Sequence, residues 1–289
     1  MAAPLALLLL LQRPARGEAL VAAGMLALAI WSIAGGRDGF GRFEGAWVCL
    51  LTGGLAVALA LRPPSTSRLV GTALLAVAIA AAAGGFVIAV TPFSWRELRW
   101  LTERHYGMQS RLVLETMSNA LSGTQGGPDL LATLEVTLNE MVALVGVVLP
   151  GLVLLQSMAA LAAAWALYRW IARHPEGEPL PRLREFRFSD HLIWGVVVTL
   201  IALVVPGMAA LRDVGGNLAA FFGGLYVARG LGIVAALAAS AGMGGVFAGL
   251  LASIVTVFLL PLVMFAALAL GVTDTWVDWR KLAAKRAES

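Results

Sequence analysis

The chain has 289 residues, 60% of them hydrophobic and 13% charged, with a formal net charge of +4. Soluble domains carry about 25% charged residues, so this composition excludes a water-soluble globular fold and the catalytic domains built on one. The basic balance does not imply nucleic acid, because the arginines stand at the edges of apolar runs and form no basic, aromatic-bearing soluble face.

In lipid every backbone polar group must be paired internally, so the membrane segments are helices or a closed barrel. Leu69 to Val90 and Gly195 to Leu211 are continuously apolar and lack the alternation of barrel strands. The fold class is therefore all-α: a polytopic transmembrane helical bundle of about seven to eight membrane segments plus one amphipathic helical loop. Residues 1–289 read as a single integral membrane domain. Its parts are N-terminal spans (1–91), an amphipathic loop region (92–140) and C-terminal spans with a basic tail (141–289).

At the N-terminus, Met1 to Pro4 has no positive region and no small-residue cleavage site follows, so a signal peptide is not expected. Leu5 to Leu11 is short and reads as interfacial or half-inserted. Span one is Ala19 to Ala34. A Gly-rich turn follows from Gly35 to Gly45, and span two runs from Ala46 to Leu61 until Arg62, Pro63 and Pro64 stop it. Span three is Leu69 to Val90. Ser94 and Glu97 then form a capping-box pattern. Trp95, Leu98, Leu101, Met108 and Leu112 recur on one side of the next helix, with Arg96, Arg99, Glu103 and Arg104 on the other. This amphipathic helix, Ser94 to Ser122, lies on the membrane surface or packs on the protein's own loops.

Asp129 caps a further helix through Glu135 and Glu140, and span four is Met141 to Tyr168, with a kink expected at Pro150–Gly151. After an arginine-rich loop, Ser189 and Asp190 cap span five, which extends to about Leu211. Span six is Leu218 to Ser240. The last apolar run, from Gly242 to Val272, contains Pro261 and the close-packing pattern Gly245-xxx-Gly249. The tail, Thr273 to Ser289, is basic.

The positive-inside rule places the Arg13/Arg16, Arg62/Arg68 and Arg169-to-Arg187 loops in the cytoplasm. Seven spans would then leave the tail (Arg280, Lys281, Lys285, Arg286) outside. A last run broken or made re-entrant at Pro261 resolves the conflict.

Enzyme signatures are missing: the chain has no GxSxG elbow, P-loop or HExxH. His105, His174 and His191 are far apart and Cys49 is the single cysteine, so no metal-ligand spacing exists. No catalytic activity, metal or cofactor is expected. The polar residues inside apolar runs carry what chemistry there is, because a membrane makes them costly. Gln156 and Ser157 in span four face a ligand or bond a neighbouring helix. Asn217, Tyr226 and Arg229 in span six are the other candidates for ligand binding. Arg229 needs a partner: Glu140, Asp213, or the carboxylate or phosphate of a ligand.

Three stretches carry a resemblance: "LREFRFSDHLIWG", "GGNLAAFFGGLYVARGLGIV" and "LGVTDTWVDWRK". In this order they resemble the YybS-like family of uncharacterised bacterial membrane proteins. The matching residues are Phe186, Asp190 and Trp194; Asn217, Tyr226, Gly230 and Leu231; and Gly271, Asp274, Trp276, Asp278 and Arg280. Ser189 stands where that family usually has a proline. The family is similar in organisation to the substrate-binding membrane subunits of energy-coupling-factor transporters. The resemblance thus implies a helical bundle of the bacterial cytoplasmic membrane that captures a small molecule and docks on a transport module.

Asp274, Trp276, Asp278 and Arg280 also have a reading of their own. Asp274 caps a helix, Trp276 sits at the interface and stacks with Arg280, and Asp278 pairs with Lys281. Together they form a membrane-exit anchor or a docking surface for a protein partner. The leading functional expectation is a transport-associated, small-molecule-capturing subunit. The alternative is a non-transporting scaffold or regulator that binds another protein. The bilayer is the expected surrounding, and the oligomeric state is not encoded in any pattern.

Overall fold

The computed structural model describes residues 1–11, 16–35, 38–61, 69–122, 126–205, 211–240, 260–279 and 281. Every regular element among them is helical: α1 (Ala2–Leu10), α2 (Arg16–Gly35), α3 (Gly39–Leu61), α4 (Leu69–Val90), α5 (Trp95–Leu121), α6 (Gly127–Ile171), α7 (Ile193–Val204), α8 (Arg212–Ser240) and α9 (Leu260–Thr273). Short 3-10 turns at Leu183–Glu185 and Asp190–Leu192 precede α7. α2, α3, α4, α6 and α8 are long and apolar enough to cross a membrane, and two shorter apolar helices cover Asp190–Val204 and Leu262–Thr273. The all-α membrane bundle is therefore what the residues build. Large apolar side chains such as Trp31, Phe86 and Phe265 are exposed on it, as lipid contact requires. The chain divides into two compact units, Met1–Glu178 and Pro179–Ser289.

In the first unit, α3 and α4 approach closely. A methyl group built on Gly54 would meet the Ala76 carbonyl oxygen at 2.5 Å, and Ala58, Ala76 and Ala80 beside it are fully buried. Small residues let two helix backbones pack where lipid offers no hydrophobic drive. α1 packs against α2, α3 and α6 and buries Leu5 and Leu9 almost completely. One side of the N-terminal stretch is thus covered by protein, while Leu10 and Leu11 at its end are exposed. The turn expected up to Gly45 is shorter, because α3 already starts at Gly39, where the Asp38 carboxylate accepts from the Gly41 N–H (2.9 Å).

The capping pattern at Ser94 does start a helix: the Ser94 hydroxyl accepts from the Glu97 N–H at 3.2 Å. α5 then pairs antiparallel with α6. Leu98 shares a core with Phe40 and Leu149, and the aliphatic part of Glu103 rests on Gly146. Only a narrow stripe of α5 is buried (Leu98, Thr102, Ser110), while Trp95, Met108 and Leu112 of the expected apolar face are exposed. The two helices expected over Asp129 to Tyr168 are one: α6 runs unbroken for 45 residues through Pro150, with Asp129 in its first turn and Gly126 as its N-cap. Glu135 and Glu140 interrupt the apolar pattern but not the helix, since glutamate is a good helix former.

In the second unit, α7 ends at Val204 and α8 begins at Arg212, so Arg212 and Asp213 form the first turn of the helix. Residues 241–259 lie outside the described residues, and with them Gly245 and Gly249. Pro261 is the second described residue of α9.

Candidate functional site

α8 is apolar and rich in small residues, and the short helices flank its two halves. A Cβ on Gly195 of α7 would overlap the Phe222 ring, and one on Gly215 would sit 3.1 Å from Leu203, so α7 lies antiparallel along the first half. A Cβ on Gly230 would collide with the Ala267 carbonyl, and one on Gly271 with the Tyr226 carbonyl, so α9 lies antiparallel along the second half. The N-terminal end of α7 and the C-terminal end of α9 therefore both reach the middle of α8. Arg229 is there.

The Arg229 side chain is 2% exposed, and three of its donors are engaged. Nε donates to Asp274 Oδ2 (2.9 Å), Nη2 to the Asp274 backbone carbonyl (3.1 Å) and Nη1 to Asp190 Oδ1 (2.9 Å). The guanidinium carbon lies 5.2 Å from the centre of the Phe188 ring, which in turn stands edge-on to Tyr226 at 5.1 Å. The helix ends favour these charges: a cation sits at the C-terminal end of α9 and an acid at the start of α7. An arginine buried in apolar surroundings is tolerable only with such partners.

The two acids differ. The Asp274 side chain is 0% exposed and that of Asp190 is 60% exposed. Three buried oxygens have no hydrogen-bond partner among the described residues in this unit: Asp274 Oδ1, Tyr226 Oη and Thr275 Oγ1. The two hydroxyls lie next to each other without hydrogen-bonding geometry. A cleft of about 180 Å³ opens beside them, lined by Arg187, Phe188, Asp190, Arg229, Asp274, Thr275, Trp276 and Asp278. At its rim Arg187 Nη2 meets Asp278 Oδ1 at 2.7 Å. That hydrogen bond, above all, holds the Asp278 carboxyl down to about 2 and raises Arg187. Lys281 reaches the other Asp278 oxygen at 3.4 Å.

The candidates named from sequence fall in different places. Tyr226 and Arg229 belong to this centre. Asn217 donates to the Asp213 carbonyl one turn earlier on its own helix (2.8 Å). Gln156 is on an exposed face of α6, in the first unit, beside Ser157, whose hydroxyl accepts from Trp47 Nε1 at 2.8 Å. Among the described residues Asp274 makes no cap: its Oδ2 accepts from Arg229, and the Lys281 N–H goes to Asp278 instead. Asp278 pairs with Lys281 as expected and more closely with Arg187. Trp276 is 70% exposed, and Arg280 lies outside the described residues. The partners expected for Arg229 are corrected: neither Glu140 nor Asp213 holds it, and Asp190 and Asp274 do. Ser189 makes no side-chain cap, and Asp190 serves Arg229 instead. Sequence reasoning missed Arg187, Phe188 and Thr275. The Arg-Phe-Arg-Phe run before Ser189 was the signal available for the first two.

Residues 1–275 match the family described as "Predicted membrane protein (DUF2232)". The chain belongs to that family. No curated protein and no solved structure matches it. The family match covers both units, so the ion-paired centre and the α5–α6 pair lie in one family region, up to Thr275.

Proposed function

We propose that this chain is a transport-associated subunit of the bacterial cytoplasmic membrane that captures a small polar molecule at the Arg229 centre. In this reading it is not an enzyme. One observation carries it: six of the twelve residues of the YybS-like resemblance, Asp190, Tyr226, Gly230, Gly271, Asp274 and Asp278, lie around Arg229 or at the helix crossing beside it, from three separate segments. Intramembrane charges are costly, and such a cluster beside an open cleft marks a functional site more readily than a plain structural contact. The likeness to energy-coupling-factor subunits points the same way, as an analogy of organisation only. Two carboxylates already neutralise Arg229, so the centre favours a neutral or cationic solute over the anion its sequence suggests.

The test is native mass spectrometry of protein taken from its own membrane. A small adduct of fixed mass is expected, with lower occupancy in Thr275→Val, which spares the ion pairs. Absence of any adduct from the wild type would sink the capture reading. Equal occupancy in Thr275→Val would remove the cleft from it.

A second reading, a scaffold that binds another protein, is favoured by the exposed Trp276 and by the exposed Met108, Leu112 and Val136 of α5 and α6. Its tail version loses Asp274 and Asp278 to internal ion pairs, which leaves Trp276 as the anchor. Trp276→Ala should then release a co-purified partner; an intact complex would remove the tail from the interface.

A further inference from the structure

We propose that the Arg229 centre binds one small monovalent cation, a sodium ion or a proton, on Asp274 Oδ1. The inference deepens the capture reading and rests on its view that this centre is functional.

Charge is the first argument. Arg229 is balanced by two acids, so the trio carries a net charge of minus one, and its more buried acid has no contact with water. At the rim, Arg187, Lys281 and Asp278 together carry plus one, but Lys281 is 80% exposed and screened by solvent, so the deficit that counts is that of the buried trio. The charged and titratable groups around Asp274 are then Arg229 and Tyr226 from α8, Arg187 and Asp190 from the segment before α7, and Asp278 and Lys281 after α9. One added positive charge neutralises the trio.

Unmet bonding is the second argument. Asp274 Oδ1 is a buried carboxylate oxygen with no donor, and leaving such an atom unpaired is expensive. Tyr226 Oη and Thr275 Oγ1 are likewise buried, next to each other. The ligand that a bare carboxylate oxygen accepts is a donor or a cation, never an anion. No group of three His, Cys, Asp or Glu side chains able to hold a metal ion occurs among the described residues, which disfavours a transition metal or a divalent ion. Asp274 and Thr275 both line the cleft at the carbonyl-bearing end of a short helix, and carboxylate, hydroxyl and carbonyl oxygens are the ligands that suit a hard monovalent ion or a proton.

Access is the third. The cleft of about 180 Å³ reaches Asp274 and Thr275 and is bordered by the exposed Asp190. A water needs about 30 Å³, so the cleft brings solvent to the edge of the sealed Asp274 carboxylate. Asp190 keeps Arg229 paired while Asp274 takes the cation. Uptake forms one oxygen–cation bond, breaks no covalent bond and needs no co-reactant.

The experiment is thermal unfolding of the full chain in lipid nanodiscs, which needs no solute and so stands apart from the adduct measurement. One arm exchanges sodium chloride for choline chloride at fixed pH and ionic strength. The other varies pH in choline chloride. We expect a saturable rise of a few degrees with sodium, or with falling pH, that is lost in Asp274→Asn. Sodium dependence identifies the metal ion, and pH dependence alone identifies the proton. No saturable dependence on either in the wild type overturns the proposal, as does a dependence that survives in Asp274→Asn. If Asp274→Asn does not fold, Thr275→Val decides: it keeps the ion pair and must weaken the cation effect several-fold, and an unchanged effect overturns the proposal.

Discussion

The two units handle polar groups in opposite ways. Among the described residues of Met1–Glu178 no charge is as deeply buried as Arg229: Trp47 donates to Ser157, Thr102 bonds the carbonyl of Leu98, Arg169 reaches the Gly177 carbonyl from a half-buried site, and the Arg99–Glu103 pair is on the surface. In Pro179–Ser289 a full charge is buried between apolar helices and held by two acids. Neutral hydrogen bonds of the first kind contribute about 1 kcal/mol each and leave little behind when both partners go. A buried charge offers no such retreat, since removing one partner strands the other. The first pattern is what assembling helices in lipid requires. The second exceeds that requirement, and is why the site is placed in the second unit.

That contrast can be broken by mutation. Arg229→Ala should have the largest effect, a loss of about 3–5 kcal/mol, because Asp274 is left buried and unpaired; unfolding in mild detergent measures it. A loss below about 1 kcal/mol would make the centre no different from a surface pair. Gly230→Ala comes next, at about 1–3 kcal/mol, since the new methyl strikes the Ala267 backbone carbonyl, which cannot rotate away. In the first unit, Ser157→Ala should cost about 1–2 kcal/mol by leaving the Trp47 N–H without its acceptor, read by the same unfolding assay. Asp278→Asn should be the smallest, below about 1 kcal/mol, because Arg187 is half exposed. The pH dependence of this rim pair has a definite sign. Its acid is depressed to about 2, so the pair's contribution is present above the ordinary carboxylate range and is lost as pH falls through about 2. Acidification from neutrality to pH 4 should therefore leave the Arg187–Asp278 contact intact, as arginine side-chain NMR would report.

The helical class was legible because a bilayer dictates composition along each span, and the Ser94 cap because its determinants lie three residues apart. The continuity of α6 was hidden: Glu135, Asn139 and Glu140 look like a boundary to a hydropathy reading, whereas the backbone responds to helix propensity. Arg229 stood out as a charge in an apolar run, but its partners did not, because they are 39 and 45 residues away. Asp213, proposed from proximity in sequence, is sixteen residues earlier on the same helix, about 24 Å along its axis and far beyond reach. What the motif list held without explanation was the pair Gly230 and Gly271. Each removes a side chain at the α8–α9 crossing, and only that close approach brings Asp274 to Arg229.

One feature of the first unit reaches beyond its own packing. A helix of 45 residues is about 67 Å long, more than twice the roughly 30 Å of a hydrocarbon core. The surplus, braced by α5, is a lever arm rooted in the bilayer. A change of tilt of about 10°, well within the range open to membrane helices, sweeps an arm of roughly 35 Å through about 6 Å at its tip. The tip, where Leu121 meets Gly127, would thus register as displacement a rearrangement that inside the membrane is only a change of angle.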